Sequence, residues 1–236
     1  MNRVPCWGVI PAAGVGSRMG EDVPKQYLKL AGCSVLEHSV NVLLRCDQIM
    51  SVVVALHAQD NIARTLPCFG NERVVTVTGG ERRCDSVLAA LHGLDRVASP
   101  GDWVLVHDAA RPCASDAEVS KLIAQVMNSG IGAILAEPVV DTVKLADDNA
   151  RVEKTLDRDR LWRAQTPQMF RFGELQTALA DAMARELAVT DEASAMELAG
   201  YPVQLVAGSS RNLKITLPAD LQLAGYYLHQ RSECGQ

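Results

Sequence analysis

Five short and almost continuously apolar runs punctuate the 236-residue chain, at residues 7–11, 52–56, 74–77, 103–106 and 132–136. Between them, apolar residues recur at helical spacing, most clearly over residues 35–44, 87–94 and 119–126. Continuous apolar runs are typical of strands in a parallel sheet, because helices cover both faces of such a sheet. The sequence therefore predicts an α/β fold with a doubly wound, mostly parallel, Rossmann-like sheet.

The pattern changes between residues 138 and 163, where apolar and polar residues alternate around the turn-forming cluster at 147–149. Two alternating segments joined by a turn predict a protruding β-hairpin arm. Helical spacing returns at residues 172–187 and 191–199, a strand is expected at 203–206, and a last helix is expected after Pro218. Because no repeat or linker interrupts the chain, residues 1–236 are interpreted as one domain.

Charge and cysteine usage restrict the partners and the location. The formal net charge is -5, whereas nucleic acids and anionic membranes attract a concentrated positive surface, so we expect neither as a partner. The sequence has no run of the roughly 18 apolar residues that a membrane span needs, and its first residues do not resemble a signal peptide. Seven scattered cysteines indicate a reducing compartment. Together these features predict a cytoplasmic protein.

A glycine-rich loop follows the first apolar run directly. It contains the small residues Pro11, Ala12, Ala13, Gly14 and Gly16, and the nearby cations Arg18 and Lys25. Small residues let backbone N–H groups approach an anion, so a triphosphate suits this loop. The glycine spacing differs from the dinucleotide fingerprint, and no Gly-Lys-Ser/Thr motif is present. A tight turn with solvated cations stays open as the alternative.

The loop, Arg18 and the Pro-Lys-Gln-Tyr sequence at 24–27 resemble the signature of nucleotidyltransferases with the glycosyltransferase-A-like fold. Within that group, the chain is most similar to the 2-C-methyl-D-erythritol 4-phosphate cytidylyltransferase family. Matching blocks extend over nearly the whole chain, at residues 79–83, 85–87, 106–112, 141–144, 157–158, 166–168, 190–194 and 212–216. The combination of blocks is far more specific than any one of them.

The resemblance implies a role for individual residues. The nucleotide would contact Pro11, Ala12, Ala13, Gly14, Gly16, Gly80, Ser86 and Ala109. The acceptor would contact Asp108, Arg111, Thr142, Thr166 and Thr190. The catalytic residues would be Arg18, Lys25, Arg158 and Lys214.

Simpler structural interpretations accompany several of these assignments. Gly80 can belong to an ordinary turn, and Arg158 to a solvated charge run at 157–160. Thr190 is a suitable helix N-cap. Lys214 is expected inside a strand over 213–215, where an unpaired charge is costly and a phosphate partner would explain it.

Two groups of polar residues are left outside the predicted site. Arg82, Arg83 and Asp85 are equally compatible with a solvated helix face. His107, like the other histidines, has no partner at metal or triad spacing and is interpreted as structural or exposed.

The implied activity is transfer of CMP from CTP to a polyol phosphate, with release of pyrophosphate, in isoprenoid precursor synthesis by the non-mevalonate pathway. The resemblance also implies Mg²⁺ held mainly by the CTP phosphates, with no protein metal ligand identified, and a homodimer whose arm completes the partner's site. A cytidylyltransferase for another polyol phosphate, such as ribitol 5-phosphate, is the main alternative. A non-catalytic nucleotide-binding regulator is the second.

Overall fold

A seven-stranded sheet forms the centre of the protein in a computed structural model that describes residues 4–14 and 23–233. The strands are β1 Cys6–Ala12, β2 Lys29–Leu30, β3 Cys33–Ser34, β4 Ile49–Leu56, β5 Val74–Thr78, β6 Trp103–Val106, β7 Ala133–Pro138, β8 Lys144–Ala146, β9 Val152–Thr155, β10 Trp162–Arg171 and β11 Gln204–Ala207. The central order is β11-β7-β10-β6-β1-β4-β5. In this sheet β10 is antiparallel to both neighbours, and the other pairs are parallel.

Helices cover both faces of the sheet. They are α1 Val35–Leu44, α2 Arg83–His92, α3 Asp116–Ser129, α4 Phe172–Ala184, α5 Glu192–Leu198 and α6 Pro218–Glu233. The two large apolar clusters cover the sheet: α1 and α3 pack on one face, and α2, α4 and α5 pack on the other. A third, smaller cluster includes Ala224 and Leu228 of α6. The predicted doubly wound, mostly parallel α/β fold is therefore confirmed, whereas the single-domain interpretation stays a prediction.

Local sequence signals explain where two of these helices begin and end. Ser34 and Glu37 form a reciprocal capping box at the start of α1, and Ser115 and Glu118 do the same for α3. At the end of α3, Gly130 adopts a φ of 71°, a left-handed conformation that glycine accepts without a steric penalty.

Strand β10 was not predicted from the sequence. It contains Gln165, Thr166 and Gln168, which are buried although polar, and its pairing with β7 shifts between Ala164 and Gln168. The Gln165 amide donates to the Ser209 carbonyl at 2.9 Å. Because these residues are polar, a search for apolar strands does not find β10, although contacts with distant segments allow them to be buried.

The predicted arm is a two-stranded antiparallel hairpin of β8 and β9. At the base of the arm, the Val139 N–H donates to the Leu161 carbonyl at 3.0 Å and joins the two ends of the hairpin. Val140, Leu145, Val152 and Trp162 are exposed on the hairpin and its base. These four apolar side chains are therefore exposed on a two-stranded arm, which is too small to form a hydrophobic core of its own.

Two local predictions are wrong. Residues 213–215 form no regular strand, although the Ile215 N–H donates to the Ala110 carbonyl at 2.9 Å. The N-cap of α5 is Asp191, whose carboxylate accepts from the Ser194 N–H at 2.9 Å, rather than Thr190. Asp is preferred over Thr as an N-cap, because the positive end of the helix dipole stabilises the negative charge of the carboxylate.

In the part of the chain that the structure describes, no helix combines the length and the apolar character required to cross a membrane.

Candidate active site

A cavity of about 250 Å³ opens at the carboxyl ends of β1 and β6, and we call it the first cavity. Ligands of open α/β sheets commonly bind at this edge. The predicted site residues that line it are Pro11, Ala12, Ala13, Gly14, Lys25, Ser86, Asp108, Ala109 and Lys214. Residues from five separate parts of the sequence therefore meet here, whereas Gly16 and Arg18 lie outside the described residues.

Gln26 and Lys25 tie the glycine-rich loop to the rest of the cavity. The buried Gln26 amide donates to the carbonyls of Ala12 and Gly14, at 3.2 and 3.0 Å. The Lys25 ammonium donates to the Ile215 carbonyl at 2.9 Å, next to Lys214 in the sequence. The Gln26 contacts fix backbone that lines the first cavity, and the Lys25 contact fixes the backbone next to Lys214.

Gly79 and Gly80 allow the loop after β5 to approach α2 closely. A Cβ at Gly79 would lie 2.7 Å from the Cβ of Ala13, and a Cβ at Gly80 would lie 2.4 Å from that of Asp85. The Ser86 hydroxyl accepts from the Gly80 N–H at 3.2 Å, at the start of α2. Side chains at either glycine would force this wall of the cavity apart.

A buried carboxylate, Asp108, is the electrostatic centre of the site. Its Oδ1 accepts from the Arg83 Nε at 2.9 Å, and its Oδ2 lies 2.9 Å from the Lys214 ammonium and 3.4 Å from the Arg111 Nε. Burial alone would raise the pKa of Asp108, but Arg83, Lys214 and Arg111 together lower it well below its usual range. Asp108 therefore stays ionised at all physiological pH values.

A second cavity, also of about 250 Å³, lies beside the first. The two cavities share Arg83, Asp108 and Lys214, and the second is also lined by Arg111, Thr166 and Thr190. Arg111 is fixed there by its donation to the Asn212 carbonyl at 2.6 Å. The Asp108 cluster thus stands at the junction between the two cavities.

His107 is hydrogen-bonded to two residues that line the second cavity, Arg111 and Thr166. It is fully buried, and its Nε2 lies 3.1 Å from the Arg111 carbonyl, so Nε2 carries the hydrogen. Its Nδ1 therefore accepts from the Thr166 hydroxyl at 2.9 Å, while the Thr166 oxygen accepts from the Asp108 N–H at 3.0 Å. Burial is the main cause that lowers the pKa of His107 to about 4. The expected structural role of His107 is consistent with this neutral, buried ring.

Known proteins with a similar sequence and fold decide the family. The profile of 2-C-methyl-D-erythritol 4-phosphate cytidylyltransferase matches residues 6–230. The chain belongs to this family. It is 46% identical to the 2-C-methyl-D-erythritol 4-phosphate cytidylyltransferase of Pseudomonas syringae pv. tomato, over 98% of this chain and 97% of that protein. It is 48% identical to the protein of the same name from Shewanella frigidimarina, over 94% of this chain and 96% of that protein.

A solved structure gives the same result. The crystal structure of Francisella tularensis 2-C-methyl-D-erythritol 4-phosphate cytidylyltransferase matches with a TM-score of 0.81 and 37% identity, covering 94% of this chain and 99% of that one. The fold and the family resemblance inferred from the sequence are both confirmed.

Two predicted site residues of this family member lie on the arm and away from the junction. Thr142 is exposed there, and the exposed Arg158 donates from Nη1 to the Val140 carbonyl at 2.8 Å. Arg158 lies in a short 3-10 helix, Arg158–Arg160, at the base of the arm. Their roles therefore stay predictions.

Arg83 and Glu192 are the residues that the sequence reasoning missed. Arg83 is not part of a solvated helix face, because it bonds both Asp108 and the buried Glu192. Its neighbours Arg82 and Asp85 do form an exposed ion pair of 2.8 Å. A signal was available in the matching blocks, since Arg83 and Glu192 each stand inside one of them.

Within residues 4–14 and 23–233, no group of three or more His, Cys, Asp or Glu side chains is arranged to hold a metal ion.

Proposed function

We propose that the protein transfers CMP from CTP to 2-C-methyl-D-erythritol 4-phosphate, giving 4-diphosphocytidyl-2-C-methyl-D-erythritol and pyrophosphate. This reaction is a step of isoprenoid precursor synthesis by the non-mevalonate pathway. The observation that carries the proposal is the junction of the two cavities, where Asp108, Arg83 and Lys214 line both. A transfer reaction needs two substrate pockets that meet at the reacting atoms.

In this proposal CTP occupies the first cavity. The main-chain groups at 11–14 lie against the phosphates, and Gly80, Ser86 and Ala109 lie against the nucleoside. The acceptor occupies the second cavity, in contact with Arg111, Thr166 and Thr190, while Asp108 binds a hydroxyl of the polyol. Thr142 and Arg158 would reach the acceptor from the arm of a second subunit.

The nucleophile is an oxygen of the acceptor's phosphate monoester. Its second pKa is near ~6, so it is already ionised at neutral pH and no general base is needed. It attacks the α-phosphorus of CTP, a new phosphorus–oxygen bond forms, and the bond to the β-phosphate breaks. The electron pair leaves with pyrophosphate, in line with the attacking oxygen.

The protein's own contribution is positive charge and alignment. Lys25, held against Ile215, and Arg18 neutralise the triphosphate, and Lys214 meets the acceptor phosphate at the junction. Each cation acts on negative charge that grows or is brought together in the transition state. A regulator that only bound CTP would have no use for cations at the reacting phosphorus.

Mg²⁺ is part of the proposal, and the residues of the site fit a metal held mainly by the substrate. Asp108 and Glu81 are the carboxylates that line the first cavity, but Asp108 already contacts three cations. Mg²⁺ commonly binds through one or two carboxylates plus substrate phosphates and waters. When bound, it would neutralise charge on the phosphate oxygens.

The homodimer belongs to the same proposal. Val140 and Val152 on the arm are 73% and 62% exposed, and a two-fold partner is an economical cover for them. Such an arm exchange would bring Arg158 to the partner's second cavity. We also propose a cytoplasmic location, on the charge and cysteine pattern of the sequence.

The decisive experiment measures pyrophosphate release from each of the four ribonucleoside triphosphates against 2-C-methyl-D-erythritol 4-phosphate, ribitol 5-phosphate and glycerol 3-phosphate. We expect rapid release with CTP and 2-C-methyl-D-erythritol 4-phosphate alone, and a product whose mass equals the acceptor plus CMP less water. Faster release with ribitol 5-phosphate would establish the main alternative. Binding of CTP without release from any acceptor would establish the regulator.

A further inference from the structure

Two charged residues with no assigned role connect α5 to the centre of the site. Glu192, the first residue of α5, is completely buried, and its two carboxylate oxygens accept from the Arg83 Nη1 and Nη2 at 2.7 and 2.9 Å. The same guanidinium donates from Nε to Asp108 Oδ1 at 2.9 Å. One planar group therefore joins two carboxylates, and both of its terminal nitrogens are bonded to Glu192.

The position of Glu192 is itself fixed from the sheet. Gln168 of β10 accepts from the Ala193 N–H at 2.9 Å and donates to the Asp191 carboxylate at 2.9 Å. The start of α5 is thereby bonded to the strand that borders the second cavity. Glu192 is held rigidly, so Arg83 has one available orientation.

Stability alone does not account for this arrangement. Burying an ion pair costs desolvation, and apolar residues of the same volume commonly stabilise a fold as well or better. Burial would lower the pKa of Arg83, but the attraction of Glu192 and Asp108 more than compensates and raises it above its ordinary value. A fully buried acid whose partner lines both substrate cavities is typical of a functional network.

The geometry points to Glu192 and Arg83 as positioning residues that hold the Asp108 carboxylate for the acceptor. Because Glu192 bonds both ends of the guanidinium fork, Arg83 reaches Asp108 by its Nε and engages Oδ1. The other oxygen, Oδ2, faces Lys214 and Arg111 at the junction of the cavities. Without Glu192, the full fork of Arg83 would be free to take both Asp108 oxygens in a bidentate pair.

This inference rests on the proposed function, and it predicts a selective defect. Glu192→Gln keeps the shape of the side chain and removes its charge. We expect the KM for the acceptor to rise about tenfold, the scale of one hydrogen bond to a charged group, while the KM for CTP stays within about twofold. Glu192→Asp retains the charge and is expected to recover part of the loss.

A double-variant cycle separates positioning from a general structural role. If Glu192 acts through Asp108, Glu192→Gln adds little to the acceptor KM of Asp108→Asn, because the group it positions is already gone. Asp116→Asn is the matched control: it removes an exposed Arg–Asp pair, with Arg45 at 2.9 Å, far from both cavities, and should leave both KM values unchanged.

Calorimetric titration of each variant with CTP and with 2-C-methyl-D-erythritol 4-phosphate gives a readout besides turnover. If the variant bound both ligands equally more weakly, the positioning role would be overturned. The same holds if the increases in acceptor KM of the two single variants multiplied in the double variant. If Glu192→Gln does not fold, Glu192→Asp and Arg83→Lys must show the same acceptor-selective defect, and failure of all three to fold would show a purely structural pair. A wild-type protein inactive with this acceptor would instead refute the proposed function.

Discussion

The Asp108 cluster and the arm differ in burial and in the number of bonds that their side chains make within one chain. Three cations contact Asp108, and one of them, Arg83, also bonds the buried Glu192, at distances of 2.7 to 3.4 Å. On the arm, β8 and β9 are exposed throughout, and Arg158 bonds a carbonyl of the same arm. Within the described residues, one chain therefore buries and bonds the cluster but leaves both strands of the arm exposed.

The difference matches the roles that we propose for the two regions. A cluster that stabilises developing charge works best when its dipoles and charges are already fixed, because no reorganisation is then needed during the reaction. An arm that pairs with a second subunit can remain unpacked until that subunit covers it. Variants in the two regions should consequently differ in whether their defects depend on protein concentration.

The largest expected effect is in the preorganised region, by which we mean the residues that line the two cavities and His107 behind them. Lys25→Ala should lower kcat by about a hundredfold, with a much smaller change in CTP binding, because Lys25 acts mainly on charge that develops in the transition state. Arg18→Ala is expected to behave in the same way. The defect should be independent of protein concentration in steady-state assays.

Lys29→Ala is the control for Lys25→Ala, because Lys29 is an exposed lysine four residues further along the chain. Its turnover should equal that of the wild type. Turnover of Lys25→Ala within a factor of a few of the wild type would show that the proposed mechanism is wrong.

The preorganised region should also give a pH-dependent stability. The pKa of His107 is lowered from 6.5 to about 4, chiefly by burial, so the unfolded chain binds a proton in this interval before the folded chain does. The contribution is therefore fully present above pH 6.5 and is lost as pH falls toward 4, by about 3 kcal/mol.

Urea unfolding of the wild type and His107→Gln between pH 7 and pH 4 measures this contribution. Gln keeps a hydrogen-bonding side chain but does not titrate. The free energy of unfolding of the wild type should fall more steeply than that of the variant. Parallel curves would contradict the assignment to His107.

A smaller effect is expected on the arm. Val152→Asp places a charge on an exposed apolar position, and if the arm packs on a second subunit it should raise the dimer dissociation constant by about tenfold or more. Val97→Asp is a matched control, since Val152 and Val97 are both 62% exposed. Sedimentation equilibrium measures both, and equal dissociation constants would place the interface elsewhere.

The most specific test combines the two regions in one experiment. Lys25→Ala and Arg158→Ala subunits are each expected to be nearly inactive as homodimers. In mixed dimers, one site joins an intact Lys25 with an intact Arg158 from the other subunit, so activity should return toward half that of the wild type. Mixed dimers without recovery would show that Arg158 serves its own chain.

The sequence predicted most of the fold, because its buried strands are continuous apolar runs and its helices carry apolar residues three or four positions apart. It also identified the glycine-rich loop and the residues at the end of β6. Small or charged residues directly after an apolar run are visible in the sequence. Their meeting in one cavity follows from the parallel sheet, whose strands end at a common edge.

The prediction failed where burial and polarity coincide. Strand β10 is built around Gln165 and Gln168, whose partners lie in distant segments. Arg83 and Glu192 are 109 residues apart, and a single charged residue in a sequence is typical of an exposed position. Pairing between distant charges depends on tertiary packing, which periodicity does not report.

The route of the chain between β7 and β10 has an evolutionary consequence. Both ends of the arm leave the sheet side by side, where Trp162 pairs with Pro138. Because the closure entropy of a loop changes slowly with its length, residues can be gained or lost at the hairpin tip without disturbing the strands beneath. Selection can therefore alter the arm in small steps while the residues that line the first cavity remain under separate constraint.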